Sequence, residues 1–160
     1  MKIVSIIPAR MGSSRFPGKP LADILGHSMI EHCFHRANSA AGVDLTYVAT
    51  CDQEIMHCVE DFGGNAVMTS SMHDRATTRS SEALEIIEKK HGCRFEIVIM
   101  VQGDEPLITP EAISQTIQHF ENEDVDIVNI MSPIFSESQF NDKNNIKVVI
   151  DASSNALYFS

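Results

Sequence analysis

The sequence predicts a three-layer α/β fold with a mostly parallel β-sheet. Short apolar runs alternate along the chain with stretches whose apolar residues recur at three-to-four spacing. This alternation is typical of strands that are each followed by a helix. One run, "FEIVIMV" (95–101), is apolar on both faces, which predicts a central parallel strand covered by helices on both sides. The length of 160 residues, without an internal repeat or a linker, fits a single domain, 1–160.

The predicted elements follow from local signals. Six runs predict strands: 2–8, 45–50, 65–69, 95–101, 125–131 and 146–151. A first helix, closed by Gly42, is predicted by apolar residues at three-to-four spacing: Met29, Ile30, Cys33, Phe34 and Ala37. A second is capped by Asp52 and stopped by the glycines at 63–64. The spacing predicts a third helix that ends before Gly92, with lysines in its last turn.

The fourth helix begins at Thr109 as N-cap, with Pro110 in the first helical position. Ligands of such sheets bind outside the carboxyl ends of the strands. Three polar loops lie at those ends: 9–20, 69–79 and 102–106. We therefore expect the three loops to share one rim.

Composition excludes several classes of protein. A net charge of −10 argues against a general nucleic-acid binder, whose surface is usually basic. The apolar run at the N-terminus is too short for a signal peptide or a membrane span, so a cytoplasmic protein without membrane partners is expected. The four cysteines show no C-x-x-C spacing, which argues against a zinc knuckle or a thioredoxin motif, and Cys33 and Cys58 are expected to be reduced thiols facing the core.

The stretch "RMGSSRFPGKP" (10–20) resembles a phosphate-binding loop. It differs from the P-loop pattern G-x-x-x-x-G-K-[ST] because five residues separate Gly12 from Gly18 and because Pro20 replaces the Ser or Thr. Pro20 lacks an N–H and biases Lys19 away from the helical region. The stretch is therefore predicted to be an extended arm, stiffened by Pro17, with Lys19 directed toward the rim.

Two further features predict a site for a nucleoside triphosphate. Arg10, Arg15 and Lys19 concentrate positive charge beside the first strand, which indicates an anion site. Asp104 lies in "QGDEP" (102–106), at the tip of a strand, where a carboxylate is well placed to bind Mg²⁺. Gly103 next to it leaves room for a ligand to approach the backbone closely. A polar turn without a ligand is the alternative reading of this loop.

Several stretches resemble one family. "IIPARMGSSRFPGKPL", "VATCD", "VQGDEP" and the final "KVVIDASSNALYFS" are similar to the CMP-sugar synthetases, most of all to the 3-deoxy-manno-octulosonate (Kdo) cytidylyltransferases. The resemblance runs from residue 2 to the last residue. It implies a Rossmann-like nucleotidyltransferase fold of the glycosyltransferase-A type. It also implies transfer of CMP from CTP to the anomeric hydroxyl of Kdo, or of a related keto-acid sugar, with release of pyrophosphate.

The resemblance also implies roles for individual residues. Lys19, Arg15 and Asp104 would be catalytic, with Asp104 as the ligand of a Mg²⁺ cofactor. The nucleotide would be bound by Pro8, Ala9, Arg10, Gly12, Ser13, Arg15, Lys19, Arg79 and Gln102. The partners implied are CTP, the acidic sugar and, for a full-length parent, a second copy in a homodimer. Family chains continue past "ALYFS" with sugar-binding residues, a second metal-binding Asp and dimer contacts, so this chain is expected to be truncated at its C-terminus and catalytically poor alone.

One rim loop departs from the family pattern. The family sequence is close to H-x-S-G-T-[DE]-R, whereas this chain has "HDRATTR" (73–79). Arg75 replaces the Ser, and it could contact a phosphate or a sugar carboxylate or simply face solvent.

Two other functions remain open. A hexose-1-phosphate nucleotidyltransferase would share the fold, although its arm usually reads G-x-G-x-R-L. A non-catalytic nucleotide-binding domain would fit the altered loop. Among acceptors, sialic-acid-type and 8-amino-Kdo sugars also remain possible.

Overall fold

The computed structural model describes residues 1–12, 16–122 and 124–160. They divide into two compact units, Met1–Asp126 and Ile127–Ser160. In chain order the first unit contains β1 (Ile3–Ala9), a 3-10 turn (Lys19–Leu21), β2 (Asp23–Ile24), β3 (His27–Ser28), α1 (Met29–Asn38), β4 (Leu45–Thr50), α2 (Gln53–Asp61), β5 (Ala66–Met68), α3 (Ala76–His91), β6 (Ile97–Met100), α4 (Pro110–Gln118) and a second 3-10 turn (His119–Glu121).

A four-stranded parallel sheet forms the middle layer of this unit, in the order β5-β4-β1-β6. Because side chains alternate along a strand, β1 supplies two cores. Ile7 and Ala9 pack with α1, α2 and α4 on one face. Val4 and Ile6 pack with α3 on the other face. The predicted three-layer α/β architecture is confirmed.

The position of β6 differs from the prediction of a central strand. The centre of the sheet is shared by β1 and β4, whereas β6 lies at an edge. Val98 and Met100 pair with Val4 and Ile6 of β1 and so lie on the α3 face, yet they are 39% and 38% exposed. The reason is that α3 packs over β1, β4 and β5 and does not cover β6.

Helix ends follow the predicted signals at most positions. Gly92 ends α3 in a left-handed conformation, and the Thr109 hydroxyl accepts a hydrogen bond from the Ala112 N–H at the start of α4. The amides of Gly63 and Gly64 close α2. The prediction for Gly42 was wrong, since α1 ends at Asn38 and Gly42 lies beyond the helix, in a turn with φ of 93°.

The second unit is described by itself. It contains α5 (Glu137–Asn141) and an antiparallel hairpin of β7 (Val148–Ile150) and β8 (Ala156–Phe159). The strand predicted over 125–131 does not form. No helix in the described part of the chain is both long and apolar enough to cross a membrane. All four cysteines are free; Cys33 is buried and Cys58 is partly buried, and burial raises the pKa of Cys33 to about 11.

Candidate active site

A cleft of about 340 Å³ lies at the carboxyl ends of the strands in the first unit. Residues from all three polar loops line it, so the prediction of a shared rim is confirmed. Eight residues singled out from the sequence lie along this cleft: Pro8, Ala9, Arg10, Gly12, Lys19, Arg79, Gln102 and Asp104. The other two, Ser13 and Arg15, lie outside the described residues.

The end of β1 opens the cleft because the sheet splits there. Ile6 still accepts a hydrogen bond from the Val101 amide, but β6 ends at Met100. Pro8 lies two residues after Ile6, so its backbone N and C=O face the same neighbouring position as those of Ile6. At the level of Pro8 that position is no longer occupied by β6. The missing N–H of Pro8 consequently leaves no ladder bond unmade, which explains a proline inside a central strand.

The arm after β1 differs from the predicted extended conformation. Lys19, Pro20 and Leu21 form one 3-10 turn, preceded by Gly18 with a φ of 72°. Proline is compatible with this turn because its fixed φ suits the first helical positions, where the N–H needs no partner. The turn is not the start of an α-helix as in a P-loop. The expected direction of Lys19 is confirmed by its contact with Asp104.

Lys19 and Asp104 form the central polar contact of the cleft. Lys19 Nζ lies 2.7 Å from Asp104 Oδ2, and the two side chains are 34% and 47% exposed. An ion pair this accessible to water contributes only about 0–1 kcal/mol, so breaking it costs little. An anionic ligand can therefore replace Asp104 as the partner of Lys19, which frees the carboxylate.

Asp52 holds the start of the arm rather than its own helix. It occupies the N-cap position of α2, but its side chain makes no capping hydrogen bond there. Instead Asp52 Oδ2 accepts a hydrogen bond from the Met11 N–H at 2.8 Å. The carboxylate therefore ties the end of β4 to the chain that leaves β1, between Arg10 and Gly12 of the cleft wall.

Gly103 lines the cleft and also lies close to the protein's own backbone. A Cβ at this position would lie 3.0 Å from the Pro8 carbonyl oxygen and 3.4 Å from the side chain of Ile30. Packing against the protein itself therefore already requires glycine here, and the approach of a ligand to this backbone stays a prediction. Gly103 lets the 102–106 loop pack against the end of β1, which brings Asp104 to the cleft.

The 69–73 loop is held by two side chains one turn apart on α3. The buried Arg79 guanidinium donates hydrogen bonds to the Thr69 hydroxyl at 2.6 Å and to the Ser70 carbonyl at 3.3 Å. Glu82 Oε2 accepts one from the Ser70 amide at 2.9 Å and lies 2.5 Å from His73 Nε2. The Ser70 amide, followed by His73, lowers the pKa of Glu82.

Arg75 also lines the cleft and is exposed. Its side chain has no hydrogen-bond or ion-pair partner among residues 1–12, 16–122 and 124–160. With Arg10 it brings two guanidinium groups to a cleft whose lysine is already paired. The cleft is therefore able to attract an anion although the chain as a whole is acidic.

The cleft offers part of a ligand set for a divalent cation. Among the residues that the structure describes, no three His, Cys, Asp or Glu side chains are grouped so that they could hold a metal alone. Asp104 nevertheless offers an exposed carboxylate with only one oxygen bonded to Lys19. Mg²⁺ is commonly held by one or two carboxylates together with substrate phosphates and water. The cleft therefore fits a metal ion whose remaining ligands come from a bound phosphate and water.

Comparison with known proteins places the chain in a family. Residues 4–160 match the family model described as "Cytidylyltransferase". The chain belongs to the cytidylyltransferase family. The prediction made from its motifs is thereby confirmed.

Similar proteins agree with this assignment. The chain is 44% identical to a 3-deoxy-manno-octulosonate cytidylyltransferase of Thermodesulfovibrio yellowstonii and 45% identical to an 8-amino-3,8-dideoxy-manno-octulosonate cytidylyltransferase of Shewanella pealeana. Both matches cover 100% of this chain, which spans 64% and 65% of the two relatives. A solved structure of CMP:2-keto-3-deoxy-manno-octonic acid synthetase complexed with CTP matches with a TM-score of 0.84 and 37% identity, over 100% of this chain and 64% of that one. The Rossmann-like nucleotidyltransferase fold is confirmed.

Sequence reasoning missed three contributors to the cleft. It assigned Asp52 to a helix cap and gave no role to Glu82, and His73 was noted only as part of a motif. The signal for Glu82 was its position three residues after Arg79, since such residues lie on the same helix face. Nothing in the sequence indicated that Asp52 would reach Met11, because that contact depends on the pairing of β1 with β4.

Proposed function

We propose that this chain carries the nucleotide site of a cytidylyltransferase that transfers CMP from CTP to the anomeric hydroxyl of 3-deoxy-manno-octulosonate or a related keto-acid sugar, releasing pyrophosphate. One observation supports this most strongly. The Lys19–Asp104 pair lies on the cleft that Arg10, Gly12 and Gln102 also line. The ion pair can be broken at a small cost in free energy. Lys19 is then available to bind a phosphate and Asp104 to bind a metal ion, as a nucleoside triphosphate with Mg²⁺ requires.

The reaction requires an in-line displacement at the α-phosphorus. The sugar hydroxyl oxygen forms the new P–O bond, loses its proton, and the bond to the bridging oxygen of pyrophosphate breaks. Lys19 would neutralise charge on the phosphates that leave, and Arg15 would share that role. Such catalysis depends on positioning and electrostatic stabilisation and needs no covalent enzyme intermediate.

Other residues would bind and orient the nucleotide. Pro8, Ala9 and Arg10 would lie along it, and the backbone of Gly12 and Ser13 would contact the triphosphate. Gln102 would lie near the cytosine ring. Arg79 is buried and engaged with the 69–73 loop, so it would act by shaping the wall beside the nucleoside.

Asp104 would hold a Mg²⁺ ion that bound phosphates complete. When bound, such an ion neutralises phosphate charge and lowers the pKa of a hydroxyl that it contacts. Release of Asp104 from Lys19 makes the carboxylate available for this role. The acceptor in this proposal is 3-deoxy-manno-octulosonate or its 8-amino analogue, since relatives with each of these names match at nearly equal identity.

Calorimetric titration of the chain with CTP, UTP, ATP and GTP in the presence of Mg²⁺ tests the nucleotide assignment. We expect tightest binding of CTP and weaker binding when Mg²⁺ is removed. Equal affinity for all four triphosphates would contradict the cytidine assignment, and absence of binding would contradict a nucleotide site altogether.

The reaction is tested by measuring pyrophosphate release from CTP with each of the two sugars, in a protein that includes this chain. Lys19→Ala should reduce turnover on the order of 10²-fold or more by removing charge stabilisation. Asp104→Asn should abolish turnover at low Mg²⁺ and recover part of it at high Mg²⁺. Arg36→Ala, an exposed arginine on α1 that does not line the cleft, is the matched control and should retain turnover.

A further inference from the structure

One wall of the cleft, lined by His73, contains a hydrogen-bonded cluster in which the proposed function gives Glu82 no role. It consists of His73, Glu82 and the backbone of the 69–73 loop. His73 lines the cleft, whereas Glu82 lies behind it on α3 and does not. A side chain that does not touch the cleft can affect a ligand only through the groups that it holds.

Glu82 fixes two parts of the loop at once through a single oxygen. Its Oε2 accepts the Ser70 amide at 2.9 Å and contacts the His73 ring at Nε2. An ionised carboxylate can accept hydrogen bonds but cannot donate them. The proton between the two side chains therefore belongs to His73 Nε2, and a neutral His73 ring is left with Nδ1 as its acceptor.

The other restraints on the loop act mainly on its ends and its carbonyl groups. Ser70, Ser71 and Met72 are exposed, and Met72 is 84% exposed despite its apolar side chain. Thr69 is anchored by the Thr50 carbonyl at the end of β4, and Arg79 donates hydrogen bonds to the carbonyls of Ser70 and, at 3.5 Å, His73. Within the loop, the Met72 amide donates to the Ser70 hydroxyl. Glu82 alone among the described side chains accepts an amide of this loop from outside it. Without Glu82, the Ser70 amide and the His73 ring lose the side chain that joins them, while Arg79 still holds the carbonyls of the loop.

We infer that Glu82 is a positioning residue of the nucleotide site, which sets His73 and the 69–73 loop as the wall that faces the nucleoside part of the ligand. This inference rests on the proposed function for the identity of the ligand. The phosphate part of the ligand is placed at Lys19, on the arm and not on this loop. Loss of Glu82 should therefore weaken binding of a nucleotide and leave binding of inorganic pyrophosphate unchanged.

The first test examines the loop without any ligand, by amide hydrogen exchange of the full chain. In Glu82→Ala we expect the Ser70 amide to exchange about tenfold faster than in the unmodified chain, since the acceptor that the structure shows for it is removed. The Thr69 amide, bonded to Thr50, serves as the internal reference and should not change. Glu85→Ala, one turn further along α3 and exposed, is the matched control and should leave both amides unchanged.

The second test compares two probes on the same variants, CTP and inorganic pyrophosphate, each with Mg²⁺. Glu82→Ala should weaken CTP binding about tenfold or more, the expected cost of a lost charged hydrogen bond, and leave pyrophosphate binding within twofold. Lys19→Ala should weaken both probes. Glu82→Gln keeps an acceptor oxygen and should recover part of the CTP affinity.

The outcomes separate this inference from the proposed function. Unchanged exchange at Ser70 in Glu82→Ala would overturn the positioning role whatever the chain binds. Equal weakening of CTP and pyrophosphate would overturn the assignment of the loop to the nucleoside. An unmodified chain that binds pyrophosphate but not CTP would overturn that assignment together with the proposed function. The hydrogen-exchange measurement would still show whether Glu82 positions the loop.

Discussion

The two units of this chain use similar sequence patterns with different results. In Met1–Asp126, apolar strands such as β1 and β4 are buried between helical layers. In Ile127–Ser160, all of which the structure describes, no residue is buried, and Phe135 and Ile146 are 82% and 75% exposed. Alternating or continuous apolar residues produce a buried strand only where another layer is present to cover them.

The hairpin of the second unit illustrates this dependence. β7 and β8 pair with an irregular register at Val149 and Ile150, and both strands are short. A two-stranded hairpin is by itself only marginally stable in water. The candidate nucleotide site, by contrast, lies on the ends of strands that a core fixes on both faces. The contrast predicts rigid positioning for the cleft and low local stability for the hairpin.

Amide hydrogen exchange of the whole chain should show the largest difference between the two units. We expect amides of β1 and β4 to be protected on the order of 10³-fold more than those of β7 and β8, because local opening of an uncovered hairpin costs little free energy. Two-dimensional NMR with solvent exchange measures this directly. Similar protection in the two hairpin strands and in β1 would contradict the comparison.

Matched isoleucine truncations should reproduce the contrast in global stability. Ile6 is 0% exposed and Ile146 is 75% exposed. Ile6→Ala should lower the free energy of unfolding by about 2–5 kcal/mol, through lost burial and a new cavity. Ile146→Ala should change it by no more than about 0.5 kcal/mol. Urea denaturation provides both values, and equal losses would mean that the second unit has a core of its own.

Gly103 provides a sharper test of how the first unit places its site. Gly103→Ala should reduce the free energy of unfolding by about 1–3 kcal/mol, because the new Cβ would crowd the Pro8 carbonyl oxygen. Gly12→Ala is the control, since a Cβ at Gly12 would meet no atom within 4 Å. A variant Gly103→Ala as stable as the control would show that the 102–106 loop does not depend on this close approach.

The smallest expected effect concerns the pH dependence of Glu82. Its pKa is lowered from an ordinary value of 4.5, first by the Ser70 amide and then by His73. A lowered folded-state pKa contributes stability above the ordinary value, and that stability is lost as the pH falls through the folded-state pKa. Glu82→Gln should therefore be less stable than the unmodified chain at pH 7, with a difference that shrinks below pH 4. Thermal unfolding measures this against Glu85→Gln, and a difference that grows toward acid would contradict it.

Much of the fold and part of the site could be predicted from the sequence. The periodicity of β1 and α3, the caps at Thr109 and Gly92, and the meeting of Lys19 with Asp104 all follow from local patterns and from the rule for strand ends. The edge position of β6 could not be predicted, because it depends on how far α3 extends over the sheet. The 3-10 turn at Lys19 was missed because Pro20 has two opposing effects. Proline disfavours a helical conformation of the residue before it, but its own φ suits the first turn of a helix. Here Gly18, in a left-handed conformation, starts the turn.

In the proposed function, a nucleotide binds in the first unit, at the cleft around Lys19 and Asp104. Titration of the isotope-labelled chain with CTP and Mg²⁺, followed by two-dimensional NMR, tests it most directly. We expect saturable shifts concentrated in residues 9–12, 16–20, 69–79 and 102–106, which are lost in Lys19→Ala. Shifts centred elsewhere, or saturable shifts that persist unchanged in Lys19→Ala, would contradict it.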